Sequence, residues 1–107
     1  MDDYQVLIKD SVLIVKPPEE LAYDVAPRLK AEVEAVLQAE DVAQQVSEVQ
    51  VELNKTTFMD STGISVLVLI QKEASQAGIA VRLIKPRQEV VKILKLVGLI
   101  NFFQIQE

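Results

Sequence analysis

Residues 49–78, VQVELNKTTFMDSTGISVLVLIQKEASQAG, decide how this chain folds. Val49, Val51 and Leu53 alternate with Gln50, Glu52 and Asn54, the period-two pattern of a strand with one buried and one polar side. Ile64 to Ile70 is almost continuously apolar, and its β-branched members Ile64, Val66, Val68 and Ile70 would also suit a strand. The polar segment Gln71 to Gln76 nevertheless keeps helical spacing with Ala74 and Ala77, so the pattern predicts a helix from about residue 62 to 77, capped by Gly78. Asp60-Ser61-Thr62-Gly63 is the junction between the two elements. A hydroxyl held there is exposed and firmly placed, and the N–H groups of the first helical turn, with the helix dipole, favour an anion beside it. Ser61 is therefore a candidate for reversible phosphorylation, which would replace a small hydroxyl by a group of roughly −1.5 to −2 charge. Local physics equally allows a plainer role, in which Asp60 or Ser61 only caps the helix and Gly63 only permits close packing.

Upstream of this junction, Val6, Ile8, Val12, Ile14 and Val15 form two short β-rich runs around Lys9-Asp10-Ser11, which reads as a hairpin turn. Pro17-Pro18 stops regular pairing, and Glu19 to Asp24 forms a loop leading to Pro27 in the first turn of a helix. Leu29, Val33, Val36 and Leu37 recur at i, i+4, i+7 and i+8 and share that helix's buried face. Downstream, Ile79 to Ile84 reads as a strand and Lys85-Pro86-Arg87 as a turn. Val90, Val91, Leu94 and Val97 then form the apolar stripe of a helix stopped by Gly98, and Leu99 to Phe103 closes the domain. Phe58 is expected in the core, with Phe102-Phe103 capping it at the terminus. The element order is β-β-α-β-α-β-α-α, an α/β domain over residues 1–107 with a mixed four- to five-stranded β-sheet covered by about four helices.

Composition narrows the chemistry, because the 107 residues include no histidine, cysteine or tryptophan. Histidine- and cysteine-based nucleophiles, Cys/His zinc sites and disulfides are excluded, and no metal site or cofactor is implied. A net charge of −5, with eleven basic residues scattered along the chain, speaks against nucleic-acid binding. No run reaches the roughly 20 apolar residues of a membrane span, since Gln71-Lys72-Glu73 closes the longest. Met1-Asp2-Asp3-Tyr4 lacks the positive start of a signal peptide, so the expected location is cytoplasmic.

Val49 to Gly63, together with Ala26-Pro27 before a helix, the apolar run after Gly63, Leu83-Ile84-Lys85-Pro86 and Leu96-Val97-Gly98-Leu99, resembles the STAS domain of bacterial anti-sigma factor antagonists along most of the chain. That resemblance implies a binding module rather than an enzyme, partnered by an anti-sigma factor that is also a serine kinase. It makes Ser61 the phosphorylated residue and Asp60 a shaper of the acceptor site. The unphosphorylated form would hold the kinase and free the sigma factor, the phosphorylated form would not, and a serine phosphatase would reset the cycle. The partner-binding surface implied in this way comprises Glu20, Asp24, Met59, Asp60, Ser61, Thr62 and Gly63. The sequence departs from the family at Glu19-Glu20-Leu21-Ala22, where a Gly-Glu-Leu-Asp-like segment is usual; Ala22 replaces the acidic residue, and Asp24 is the next acid available.

Other classes fit less well. The aspartic-protease triplet Asp-Ser/Thr-Gly is interrupted here by Thr62, and three helical stripes are foreign to that all-β fold. No phosphate-binding Gly-x-x-x-x-Gly-Lys-Ser/Thr motif occurs. The remaining alternative is a STAS scaffold without a switch, serving a transporter or a signalling complex. Homodimerisation through the hairpin edge or the C-terminal helix is compatible with the sequence, although no heptad pattern demands it.

Overall fold

Asp10 and Ser11 both adopt left-handed backbone, with φ of 53° and 65°, as a two-residue type I′ hairpin requires. In the computed structural model, which describes residues 4–107, this turn joins β1 (Gln5–Lys9) to β2 (Val12–Lys16). A two-residue strand β3 (Glu20–Leu21) and helix α1 (Ala26–Leu37) follow, with Pro27 in the first turn of the helix where its missing N–H costs nothing. A single turn α2 (Val42–Gln45) leads to β4 (Glu48–Glu52), the short β5 (Phe58–Met59) and the sixteen-residue α3 (Ser61–Gln76). The chain ends with β6 (Ala80–Ile84), α4 (Gln88–Leu96), a 3-10 turn at Ile100–Phe102 and β7 (Gln104–Gln106).

The expected single α/β domain with a mixed sheet and four helices is present, and the sheet has five strands in the order β1-β2-β4-β6-β7. Only the β1–β2 pair is antiparallel. Four elements among the described residues lie outside the expected order, one of them the single turn α2 between α1 and β4. The terminal segment makes one 3-10 turn and then the strand β7, because three residues, Gln-Ile-Gln, are too short to reveal a period. Strands β3 and β5 form a separate parallel pair, each only two residues long.

Register gathers the core on one face. Leu13, Val49 and Val81 form one row and Val15, Val51 and Leu83 the next, and all six are buried. Their alternates, among them Ile14, Gln50 and Arg82, lie on the opposite face, and none is fully buried. Leu29, Val33 and Leu37 of α1, Val66, Leu67 and Ile70 of α3, and Val90 and Leu94 of α4 complete the core. Of the stripes read from the sequence, Val36 and Val91 are only half-buried, and Val97 is exposed because α4 ends at Leu96 and Val97 already belongs to its closing turn. Phe103 caps the core as expected, whereas Phe102 is left 44% exposed.

Helices α3 and α4 end alike. The N–H groups of Ile79 and Leu99 reach the carbonyls of Ala74 and Leu94, each at 2.8 Å, around Gly78 and Gly98 in the left-handed region. This is the Schellman closure, which favours glycine at the turning residue.

The hairpin turn offers a direct test of the backbone reading. A serine side chain at φ 65° is strained, and Asn-Gly is the preferred type I′ pair. The double substitution Asp10→Asn, Ser11→Gly is expected to raise stability by about 1 kcal/mol, seen as a higher urea midpoint with an unchanged slope.

Candidate functional site

Two connections following parallel strands meet at one end of the sheet: the segment after β2 and the segment after β4. Several bonds strap them together. The buried Thr56 donates its hydroxyl to the Pro18 carbonyl at 2.8 Å, and the Thr57 N–H bonds the Glu19 carbonyl at 2.8 Å. The β3–β5 pairing then sets Glu20 beside Phe58 and Leu21 beside Met59. Alternation along each strand turns Leu21 and Met59 inward and Glu20 and Phe58 outward.

Asp60 stands at the head of α3 in extended conformation and caps it, its Oδ1 accepting the Gly63 N–H at 3.0 Å and the Thr62 hydroxyl. Its other oxygen accepts the Tyr23 N–H at 3.0 Å, tying the loop before α1 to the start of α3. The Thr62 hydroxyl, followed by the Gly63 N–H, holds the Asp60 carboxyl below its ordinary pKa; desolvation opposes this, and the Tyr23 and Thr62 N–H groups add to the lowering. Because the folded-state value lies below the unfolded one, the contribution to stability is complete above the unfolded pKa and is lost as pH falls through the lowered one. At neutral pH a full negative charge therefore sits next to Ser61.

Ser61 is the first residue of α3 and is exposed, and no group among the described residues engages its hydroxyl. The helix N–H groups expected to be available to an anion are already directed at Asp60. Gly63 is buried for a steric reason: a Cβ there would lie 2.0 Å from the Leu21 carbonyl oxygen, so only glycine lets α3 pack this closely against β3.

The residues singled out from the sequence fall into two groups. Glu20, Asp24 and Ser61 are exposed, and Asp60 and Thr62 are half-buried at the same junction. Met59 is 3% exposed and Gly63 is buried, so neither side offers a surface to a partner; both act from beneath. Phe58, expected in the core, is instead 47% exposed, because pairing with β3 fixes the parity of β5 and gives the inward position to Met59. Tyr23, 75% exposed beside Asp24, joins this surface without being among the residues expected there from the sequence. Its signal was present as an aromatic residue within a polar loop, but only the Asp60 bond shows that this loop borders the serine. Segments 17–27 and 56–71 contain no lysine or arginine, and Tyr23 and Phe58 are exposed aromatic rings within them. Three surface depressions, lined among others by Lys16 and Glu52, by Arg82 and Gln104, and by Lys30 and Ser65, do not include residues 60–63.

These features define a small α/β domain with an exposed serine turn at the strand ends. The STAS domain model matches residues 3–107, and the chain belongs to the STAS domain family. No curated protein matches it by sequence. Among solved structures, it is similar to a Thermotoga maritima protein classed as an anti-sigma factor antagonist, at 26% identity and a TM-score of 0.81 over 97% of this chain and 86% of that one. The fold is shared with the anti-sigma factor antagonist SpoIIAA in its unphosphorylated form, at 13% identity and a TM-score of 0.74 over 97% and 87% of the two chains. A sulfate transporter family protein from Wolinella succinogenes also has this fold, at 17% identity and a TM-score of 0.76 over 94% and 80%. No helix among the described residues is long and apolar enough to cross a membrane.

Two predictions test the site. Thr62→Val removes the largest cause of the lowered Asp60 pKa, so the carboxyl titration followed by NMR is expected to move up toward the ordinary carboxylate range; an unmoved midpoint would refute this account. Gly63→Ala forces α3 away from Leu21 and is expected to cost about 1–3 kcal/mol in chemical denaturation, whereas Ser61→Ala, at an exposed position, costs within about 0.5 kcal/mol.

Proposed function

We propose that this protein is an anti-sigma factor antagonist that binds an anti-sigma factor serine kinase through the face around Ser61 and is switched off by phosphorylation of that residue. The observation carrying this reading is an unengaged, exposed serine hydroxyl at the start of α3, directly beside an ionised carboxylate. Phosphate added there lies beside the Asp60 carboxylate, in a segment, 56–71, without lysine or arginine, which favours expulsion from a protein contact over capture within the molecule. Tyr23 and Phe58 supply the exposed apolar area from which such contacts draw affinity. A partner suited to this face carries an apolar cleft rimmed by Lys or Arg. A serine phosphatase would restore the binding form. The likeness to anti-sigma factor antagonists supports the assignment.

A second reading, a STAS scaffold that never switches, draws support from Ala22 in place of the family's acidic residue and from the transporter-family neighbour. One experiment separates the two. Wild-type, Ser61→Ala, Ser61→Asp and Phe58→Ala proteins are used to retain partners from host lysate supplemented with nucleotide, with identification by mass spectrometry. The switch predicts that Ser61→Ala retains a serine kinase and Ser61→Asp loses it by at least about tenfold, equivalent to about 1.4 kcal/mol, with Phe58→Ala also weakened. Equal retention of the same partners by the two Ser61 variants, with no kinase among them, supports the scaffold instead.

A further inference from the structure

We propose that the chain pairs with a second copy of itself through β1, antiparallel and centred on Leu7, joining two five-stranded sheets into one of ten strands. The surface is independent of the Ser61 face and shares no residue with it.

Strand β1 ends the sheet and is unusually unguarded for an edge. Natural edges are blunted by proline, bulges or several charges. Here five consecutive residues, Gln5 to Lys9, run in unbroken register with β2, without proline, and Lys9 is their only charge. Both faces of the strand present apolar side chains. Ile8 belongs by register to the helix-side row with Leu13, Val49 and Val81, yet remains 46% exposed at its end, and Leu7 is 36% exposed on the opposite face.

The hydrogen-bonding parity of the edge specifies the register. In a two-residue hairpin the flanking pair, Lys9 and Val12, exchanges both of its backbone bonds, and alternation then directs the N–H and C=O of Lys9, Leu7 and Gln5 toward β2. Those of Val6 and Ile8 point outward. A two-fold axis at Leu7 sets Val6 opposite Ile8 of the second copy and Ile8 opposite Val6, so all the outward groups of these residues find partners, and Leu7 meets Leu7 as the close, non-bonded pair.

Of the symmetric registers, this one uses all five residues. It sets each Lys9 against Gln5 of the other copy, avoiding a cationic pair. It also makes the core rows continuous: Val81, Val49, Leu13 and Ile8 of one copy run on into Val6, Val15, Val51 and Leu83 of the other. The opposite edge, β7, offers only three residues, two of them glutamine.

A contact built on one five-residue strand per copy is small and therefore weak, so the 107-residue chain is followed by sedimentation from about 10 μM to about 1 mM. The weight-average mass is expected to rise toward twice the monomer for wild type and for the control Leu96→Lys, which alters an 87% exposed leucine outside β1. It is expected to stay monomeric for the double substitution Leu7→Lys, Ile8→Lys. In parallel, amide exchange on the wild type should show Val6 and Ile8 slowing several-fold as concentration rises, with Leu7 protected throughout. That measurement decides the question even if the double variant fails to fold. A wild-type monomer at every concentration, association that survives in a folded double variant, or Val6 and Ile8 amides indifferent to concentration would each overturn the proposal.

Discussion

One carboxylate holds the serine-bearing end of this molecule together. Asp60 spends one oxygen on the first turn of α3 and the other on the backbone of Tyr23, thirty-seven residues earlier in the chain. Without that shared acceptor, α3 would lose its cap and the loop preceding α1 would lose its anchor beside Ser61. Gly63 enforces the same geometry sterically, since the Leu21 carbonyl occupies the space where any side chain would begin. An attractive contact and an excluded volume thus fix the same approach of α3 to β3. The serine between them is held rigidly while remaining exposed.

Topology explains why the site forms at this end. Strands β2, β4 and β6 run parallel, so the connections leaving them all emerge on the same side, as in other open α/β sheets where sites gather outside the carboxyl ends of strands. The first two of these connections would be loose alone. Pairing of β3 with β5, the buried Thr56–Pro18 bond and the inward pair Leu21 and Met59 turn them into a second, smaller layer. Glu20 and Phe58 then have no orientation left but outward, which is how an aromatic ring comes to be exposed beside a phosphorylation candidate.

What could be read from the sequence depended on how many residues repeat a pattern. Helix α3 was legible because its spacing persists for sixteen residues and ends at a glycine, and the stripes of α1 and α4 are legible for the same reason. The serine turn was legible as the junction of two strong patterns. Strands β3 and β5 carry two residues each, one period at most, so neither their existence nor their parity can be read locally, and Phe58 and Met59 exchange roles accordingly. The place of Tyr23 beside Ser61 is not legible locally, because it depends on one long-range backbone bond. Strand β7 is stabilised by β6, a neighbour twenty residues away, rather than by any propensity of Gln104-Ile105-Gln106.

On the reading proposed for Ser61, the electrostatics of the switch require one further step. A phosphate beside Asp60 repels that carboxylate in the free protein as well as in the complex, and a repulsion present equally in both states changes no affinity. The difference comes from water. Exposed, the two groups interact through an effective dielectric near that of bulk solvent; beneath a partner it falls to roughly 20 from about 80, and the same repulsion grows about fourfold while hydration is lost. The exposed Glu20 and Asp24 add no countercharge of their own, so a partner must bring one or release the surface. A cation on the partner placed to suit Asp60 alone is matched to one charge and is overwhelmed by roughly three when phosphate arrives. The aromatic contacts at Tyr23 and Phe58 are indifferent to that change. Affinity and switching therefore reside in different side chains of the same face, and each can be altered without rebuilding the other.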